Sequence, residues 1–343
     1  MKRSSLIIPL GLAIVAMAVS LMLGRYGAYL AHVVAIAAIG AMSLNLLNGW
    51  CGQINFAQAA LLGVGAYTAG NFGNAGWDLF SLLAAGIASA MAAVLIGLPA
   101  LRLRGLYFAI ATLAAQFIFE YLFKFAEPIT HGVSGLLIQP MRLFGHVIDT
   151  DQGYSVLAIF LLLLTWLFMT WIRRTDLGRA FLVVRENEVV ARGMGINVPQ
   201  TKMWAFLISG FFAGIAGALM GFTARLAHPE AFGMALSVDY IAMIIVGGLG
   251  SLTGSLLGAA FVTLLPEVIQ RFGEAFHIAD QLSALREMAF GLLIILFLIF
   301  EPRGLSAIFR RLDVRRLVAR FRPHSTNPVR DQTENQPKWR SVE

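Results

Sequence analysis

Predominantly apolar runs, continuous rather than alternating, occupy residues 6–24, 30–47, 80–100, 106–123, 154–172, 203–222 and 285–300. Each run approaches the roughly twenty residues a helix needs to cross the hydrocarbon of a bilayer. Continuous runs predict helices, because barrel strands alternate apolar and polar positions. Two further stretches, 54–70 and 241–269, are apolar but broken by glycine and polar side chains. The second is long for one span, and Gly247, Gly248, Gly250, Gly254 and Gly258 would let it divide into two close-packed halves. Gly49, Gly52, Gly63 and Gly65 flank the first. The pattern predicts an all-α polytopic membrane protein with an even number of transmembrane helices, about eight to ten, and two glycine-interrupted segments. Such a pair points to a substrate path between structural repeats, although glycine also serves plain helix packing.

Composition agrees, since 58% of the 343 residues are hydrophobic and 13% charged, too apolar for a surface that faces water. The net charge of +7 is unevenly placed: of 26 basic residues, ten follow Glu301 and six lie between Arg173 and Lys202. Basic clusters beside apolar spans follow the positive-inside rule, and no interleaved aromatics offer a stacking platform, so nucleic acid is not expected as a partner. With Lys2 and Arg3 in the cytoplasm, the spans return the chain to that side at Arg102 and Arg104 and again at the 173–202 island. Loop 126–153, with Glu127, Asp149 and Asp151 against Arg142, suits the outer face. Lys2, Arg3 and the Ala16-Met17-Ala18 stretch imitate a secretory signal, but the apolar run continues to Leu23, which favours an uncleaved first helix. Residues 1–305 thus form the membrane domain. The basic tail 306–343, with Pro323, Pro328 and Pro337 among polar residues, is expected to be disordered and cytoplasmic.

The four lysines, Lys2, Lys124, Lys202 and Lys338, follow Met, Phe, Thr and Pro. A phosphate-binding GxxxxGK[ST] loop is therefore absent and the chain is not an ATPase by that route. One cysteine, Cys51, and six scattered histidines give no metal or catalytic spacing, and no cofactor is expected. Ionisable residues near the spans are few: Glu120 and Lys124 read as an i,i+4 pair and His32 as an interfacial residue, which does not make a proton relay. Neutral polar residues are denser, with Asn45, Asn48, Gln53, Asn55 and Gln58 around the first interrupted stretch. Amides in a bilayer must find partners, so these either stitch helices together or line a polar passage.

The island has its own logic. Glu186, Asn187 and Glu188 stand at the start of a short helix and Arg192 at its end, before Gly193 and Gly195. Acid first, base last and glycine after predict a self-capped helix of about two turns, suited to docking another protein or to resting on the inner leaflet.

Several runs carry a family resemblance: SLNLLNGWCGQINFAQAALLGVGAYTAG at 43–70, LRLRGLYFAIATLA at 101–114, THGVSGL at 130–136, TDLGRAFLVVRENEVVARGMGINV at 175–198, IVGGLGSLTGSLLGA at 245–259 and EPRGL at 301–305. Together they resemble the LivM-type permease subunit of branched-chain amino-acid ABC importers. The resemblance implies the ABC importer permease fold in a bacterial inner membrane, with a second LivH-type permease, two cytoplasmic ATPase subunits and a periplasmic binding protein. By the same resemblance Arg185, Glu186, Glu188, Ala191, Arg192, Gly193, Gly195 and Asn197 belong to the ATPase-coupling helix. Thr130, His131, Gly132, Ser134 and Gly135 would face the binding protein. Importers generally dock through Glu-Ala-Ala with a glycine four residues on; here Ala191 and Gly195 fit and Glu188 stands one position early. Leucine, isoleucine and valine are the expected substrates, with urea or short amides as the alternative and a self-powered transporter behind both.

Overall fold

The computed structural model describes residues 24–103, 105–143 and 146–275, with 291 and 305. The expected first helix up to residue 23, the run at 285–300 apart from Gly291, the 301–305 motif apart from Leu305, Arg104 and the 306–343 tail lie outside them. Among the described residues, seven helices are long and apolar enough to cross a membrane: Gly24–Trp50, Phe80–Leu101, Leu106–Phe125, Asp151–Ile172, Val198–Ala224, Pro229–Gly247 and Leu252–Arg271.

Helix α1 (Gly24–Asn45) runs on into a π-helical turn, Leu46–Trp50, and the chain then leaves helical geometry until α2 (Gln58–Asn74). Helices α3 (Asp78–Gly97), α4 (Leu106–Phe125) and α5 (Asp151–Ile172) follow. The island folds as α6 (Asp176–Glu186) and α7 (Glu188–Gly193), and α8 (Val198–Ala224), α9 (Met234–Gly247) and α10 (Leu252–Ala275) complete the described bundle. The stretch at 241–269 thus divides at residues 248–251, and α9 begins seven residues before the apolar run does. The loop after α4 is not purely irregular: β1 (Leu136–Leu137) pairs antiparallel with β4 (Leu226–Ala227), and β2 (Arg142–Leu143) with β3 (His146–Val147).

Two helices form the centre. The span windows of α1 and α8 are 78% and 83% buried, whereas that of α4 is 28% buried, so the first two are packed on nearly every side and α4 on one. Close approach needs small residues, since lipid offers no hydrophobic drive to bring helices together. A Cβ on Gly217 of α8 would come within 1.9 Å of the Leu62 carbonyl on α2, and one on Gly214 within 2.3 Å of the Ala85 carbonyl on α3. Hydroxyls stitch the same core: Ser209 of α8 donates to the Ser43 carbonyl of α1 at 2.8 Å, and Ser89 of α3 to the Leu61 carbonyl of α2 at 2.9 Å. Helices α9 and α10 form an antiparallel hairpin, with Gly247 against Gly254 and Met243 against Gly258.

Candidate functional site: the junction of two broken helices

The two interrupted segments meet. Gly49, in the π-helical turn, packs against Gly250, in the break between α9 and α10; a Cβ there would lie 2.5 Å from the Gly250 nitrogen. Asn45 closes the junction. Its Oδ1 accepts from the Gly250 N–H at 2.8 Å, and its Nδ2 donates to the Ser251 carbonyl at 3.1 Å and to Ser255 Oγ at 2.7 Å. Trp50 Nε1 donates to the Gly250 carbonyl at 3.0 Å. Gly248 and Gly250 adopt φ of 109° and 82°, and Gly52 adopts 69°, conformations that a side chain would strain. Gly247 is the last residue of α9 and Gly254 lies in the first turn of α10.

Beyond the junction the chain turns back to start α2, and its free N–H groups are met by side chains from distant helices. Phe56 N donates to Thr112 Oγ1 (3.1 Å), Ala60 N to Gln116 Oε1 (2.9 Å) and Ala59 N to Ser237 Oγ (2.9 Å). Asn48 Oδ1 accepts from Asn55 N at 3.1 Å, and Gln53 Nε2 reaches the Cys51 carbonyl at 3.4 Å. Gln58 Nε2 donates to the Gly40 carbonyl and to Ser43 Oγ at 3.1 and 2.9 Å. Asn55 Nδ2 and Gln58 Oε1 are buried without a hydrogen-bond partner. The structure therefore brings all five predicted amides to one region but treats them unequally. Thr112, Gln116 and Ser237 were not singled out in sequence, because a lone hydroxyl or amide on an apolar run carries no local signal of the backbone it will meet.

The island hangs from this junction. The expected short helix is present as α7, but Arg185 and Glu186 end α6 instead of opening it, because the chain is extended at Asn187 (φ −162°, ψ 114°). Asn187 Oδ1 caps α7 by accepting from Val189 N and Val190 N at 2.8 and 3.3 Å. The other end is a Schellman turn: Ile196 N donates to the Ala191 carbonyl and Gly195 N to the Arg192 carbonyl, both at 3.0 Å, with Gly195 at φ 81°. Asn197 in turn caps α8 through Gln200 N at 3.2 Å. Two charged side chains tie this unit down. Arg185 donates to the Gly49 carbonyl and lies against Gly52 and Gly250. Glu188 points inward to Lys202, Oε1 to Nζ 2.6 Å, and that 2%-exposed lysine also reaches the Ala100 carbonyl at 3.2 Å. The side chains left outward are Val189, Val190, Arg192 and Met194.

At the far end of α4, Thr130 ends a helical turn, Glu127–Thr130, and its Oγ1 donates to the Ala126 carbonyl at 2.8 Å. His131, Gly132 and Gly135 all take positive φ (58°, 62° and 75°), folding the segment tightly against Ala227 and leaving His131 and Ser134 exposed.

Residues 26–298 match the family model described as branched-chain amino acid transport system / permease component. The chain belongs to this family. Members are membrane permeases, and the bundle above is a multi-pass membrane protein of that kind. The high-affinity branched-chain amino acid transport system permease protein LivM of Salmonella typhimurium is 29% identical over 329 residues, covering 88% of this chain and 75% of that one. LivM of Escherichia coli is 29% identical over 327 residues, covering 87% and 74%. A probable LivH permease of Methanocaldococcus jannaschii is 28% identical over 155 residues, 44% of this chain and 46% of its own. No solved structure matches the chain.

Four ionisable groups complete the picture within this permease. Lys124 donates to Glu120 at 2.9 Å, the i,i+4 pair. His32, eight residues into α1, is fully buried and edge-on to Tyr29. Asp239 was overlooked because the apolar run begins at Ile241; with α9 starting at Met234, the carboxylate falls inside the Pro229–Gly247 span.

Proposed function

We propose that this chain translocates leucine, isoleucine and valine as one of two permeases in an ATP-driven importer of a bacterial inner membrane. Its partners are a LivH-type permease, two cytoplasmic ATPase subunits on which all ATP hydrolysis takes place, and a periplasmic binding protein. Both termini and the island are cytoplasmic; the 126–153 loop is periplasmic and its 130–135 segment meets the binding protein. The observation that carries the reading is the construction of the island. Helix α7 is capped at both ends by its own residues, so it keeps its shape away from the bilayer, and it offers Val189, Val190 and Met194 outward, 68%, 53% and 68% exposed. Exposed aliphatic residues on a rigid polar segment suit a protein groove. Arg185 and the Glu188–Lys202 pair supply stiff links by which motion of an ATPase reaches the Gly49–Gly250 junction, α8 and the end of α3. The partial similarity to a LivH permease supports a partner of related build, and the amides Asn48, Gln53, Asn55 and Gln58 beside the joint that Asn45 closes supply neutral hydrogen-bonding groups to a zwitterion that hydrocarbon would leave unsolvated.

The test is uptake by vesicles holding the whole complex and binding protein. Labelled leucine should accumulate only with hydrolysable ATP on the island side and should continue after an uncoupler collapses the proton gradient. Accumulation without ATP, or its abolition by the uncoupler at constant ATP, overturns the proposal; uptake of urea in place of leucine overturns the substrate.

A further inference from the structure

A cavity of about 320 Å³ opens between α1, α8, α9 and α10, near the lower limit of the roughly 300–1,000 Å³ typical of small-ligand pockets. Its walls are largely apolar, with Val33 and Ile36 from α1, Met220 from α8 and Met243 from α9. Into it Asp239 brings a carboxylate, accompanied by the hydroxyl of Thr263. Asp239 is half-buried within a membrane span and has no hydrogen-bond or ion-pair partner among the described residues. An uncompensated charge at such a depth is disfavoured unless something of opposite charge visits it. Other acidic groups of the described bundle are paired internally, Glu120 with Lys124 and Glu188 with Lys202.

We propose that this cavity is a transit site for the substrate, in which Asp239 binds the α-ammonium group while the aliphatic wall takes the branched side chain. The inference rests on the importer reading above and adds to it the residue that distinguishes an amino acid from a neutral amide. One carboxylate in an apolar pocket is complementary to a compact cation with an aliphatic body, and a neutral solute such as urea gains nothing from it. The position also connects to the junction. Tyr240, the next residue, packs its ring against Gly40, where a Cβ would come within 2.5 Å, and the Gly40 carbonyl accepts from Gln58. Past Tyr240, the Gly40 contact leads to Gln58, whose Oε1 is unpartnered.

The experiment places a thiol in the cavity, Thr263→Cys in a Cys51→Ala background, and follows its alkylation by a small maleimide in the reconstituted complex. Leucine should slow alkylation at least threefold, its 2-oxo acid analogue, which lacks the ammonium, should not, and Asp239→Asn should erase the protection while Asp239→Glu keeps part of it. Equal protection by both compounds, protection that survives Asp239→Asn, or no protection by leucine overturns the site. Should Asp239→Asn fail to assemble, the contrast between leucine and its 2-oxo analogue on the Thr263→Cys protein alone decides. ATP-driven leucine uptake by the unsubstituted complex is measured alongside: its absence sinks the importer reading, whereas its presence without protection sinks only the Asp239 site.

Discussion

The two interrupted segments differ in how completely their polar groups are satisfied. At the break between α9 and α10, Asn45 spends both ends of its amide on Gly250, Ser251 and Ser255, and Trp50 takes the remaining Gly250 carbonyl. At the entry to α2, backbone donors are met from α4 and α9, yet Asn55 Nδ2 and Gln58 Oε1 remain unpaired. Buried polar atoms away from water are almost always paired, so spare capacity at one break and none at the other divides the labour. On the proposed reading, the α9–α10 break is a structural joint and the α2 entry, with hydrogen-bonding capacity unused, is the part of the route that a solute passes.

The joint is the more fragile in packing. Gly49→Ala places a methyl 2.0 Å from Asn45 Oδ1 and 2.5 Å from the Gly250 nitrogen, and neither neighbour can move without opening the break. Overpacking of this kind costs about 3 kcal/mol, so most of the variant should be lost from the folded fraction in a detergent thermal melt. Gly193→Ala in the island meets nothing within 4 Å and should melt like the parent. Equal melting of both variants would mean that the Gly49–Gly250 contact is not a constraint.

Amide substitutions separate the two roles further. Asn45→Leu removes three hydrogen bonds and leaves the Gly250 N–H unmet, while the Ser251 carbonyl keeps its bonds from Ser255 N and Oγ, a loss of about 2–4 kcal/mol. Uptake per folded complex should then change little. Gln58→Met keeps the volume and loses only two donations, about 2 kcal/mol, yet should lower uptake per folded complex about tenfold, the equivalent of about 1.4 kcal/mol in a barrier. The reverse ranking, with Asn45→Leu stable but inactive, would exchange the roles assigned to the two breaks.

Much of this arrangement is legible in the chain itself. The apolar runs at 80–100, 106–123, 154–172 and 203–222 locate four spans within about five residues, and the glycines at 248 and 250 mark the division of α9 from α10, because span length and backbone freedom are local properties. The self-capping of α7 is equally local, read from Asn187 and Gly195. What sequence did not yield depends on distant partners. Glu188 turns inward only because Lys202, at the start of α8, is brought beneath it. The late start of α2 at Gln58 is stabilised by Thr112, Gln116 and Ser237, which lie 56, 56 and 178 positions away from the groups they bind. Asp239 was hidden by a helix boundary, since apolarity begins after it although the helix does not.

The smallest expected effect sharpens the comparison most directly. All these amides are buried in the structure, Asn45 at 1%, Asn55 and Gln58 at 0% exposed, so static accessibility does not rank them; only motion during transport can. In a Cys51→Ala background, whose own buried thiol is thereby removed, cysteines at positions 55 and 58 should react with a water-soluble thiol reagent a few times faster during ATP turnover than in the nucleotide-trapped state. A cysteine at 45 should show no such change, because the joint it occupies has no spare volume for water in either state. The reasoning turns on dryness: a passage that hydrates when it opens exposes groups with unused hydrogen bonds first, whereas a fully bonded amide stays sealed until the fold itself opens. Matching rates at 45, 55 and 58 across both states would dissolve the distinction between joint and passage and move the route to another face of the bundle.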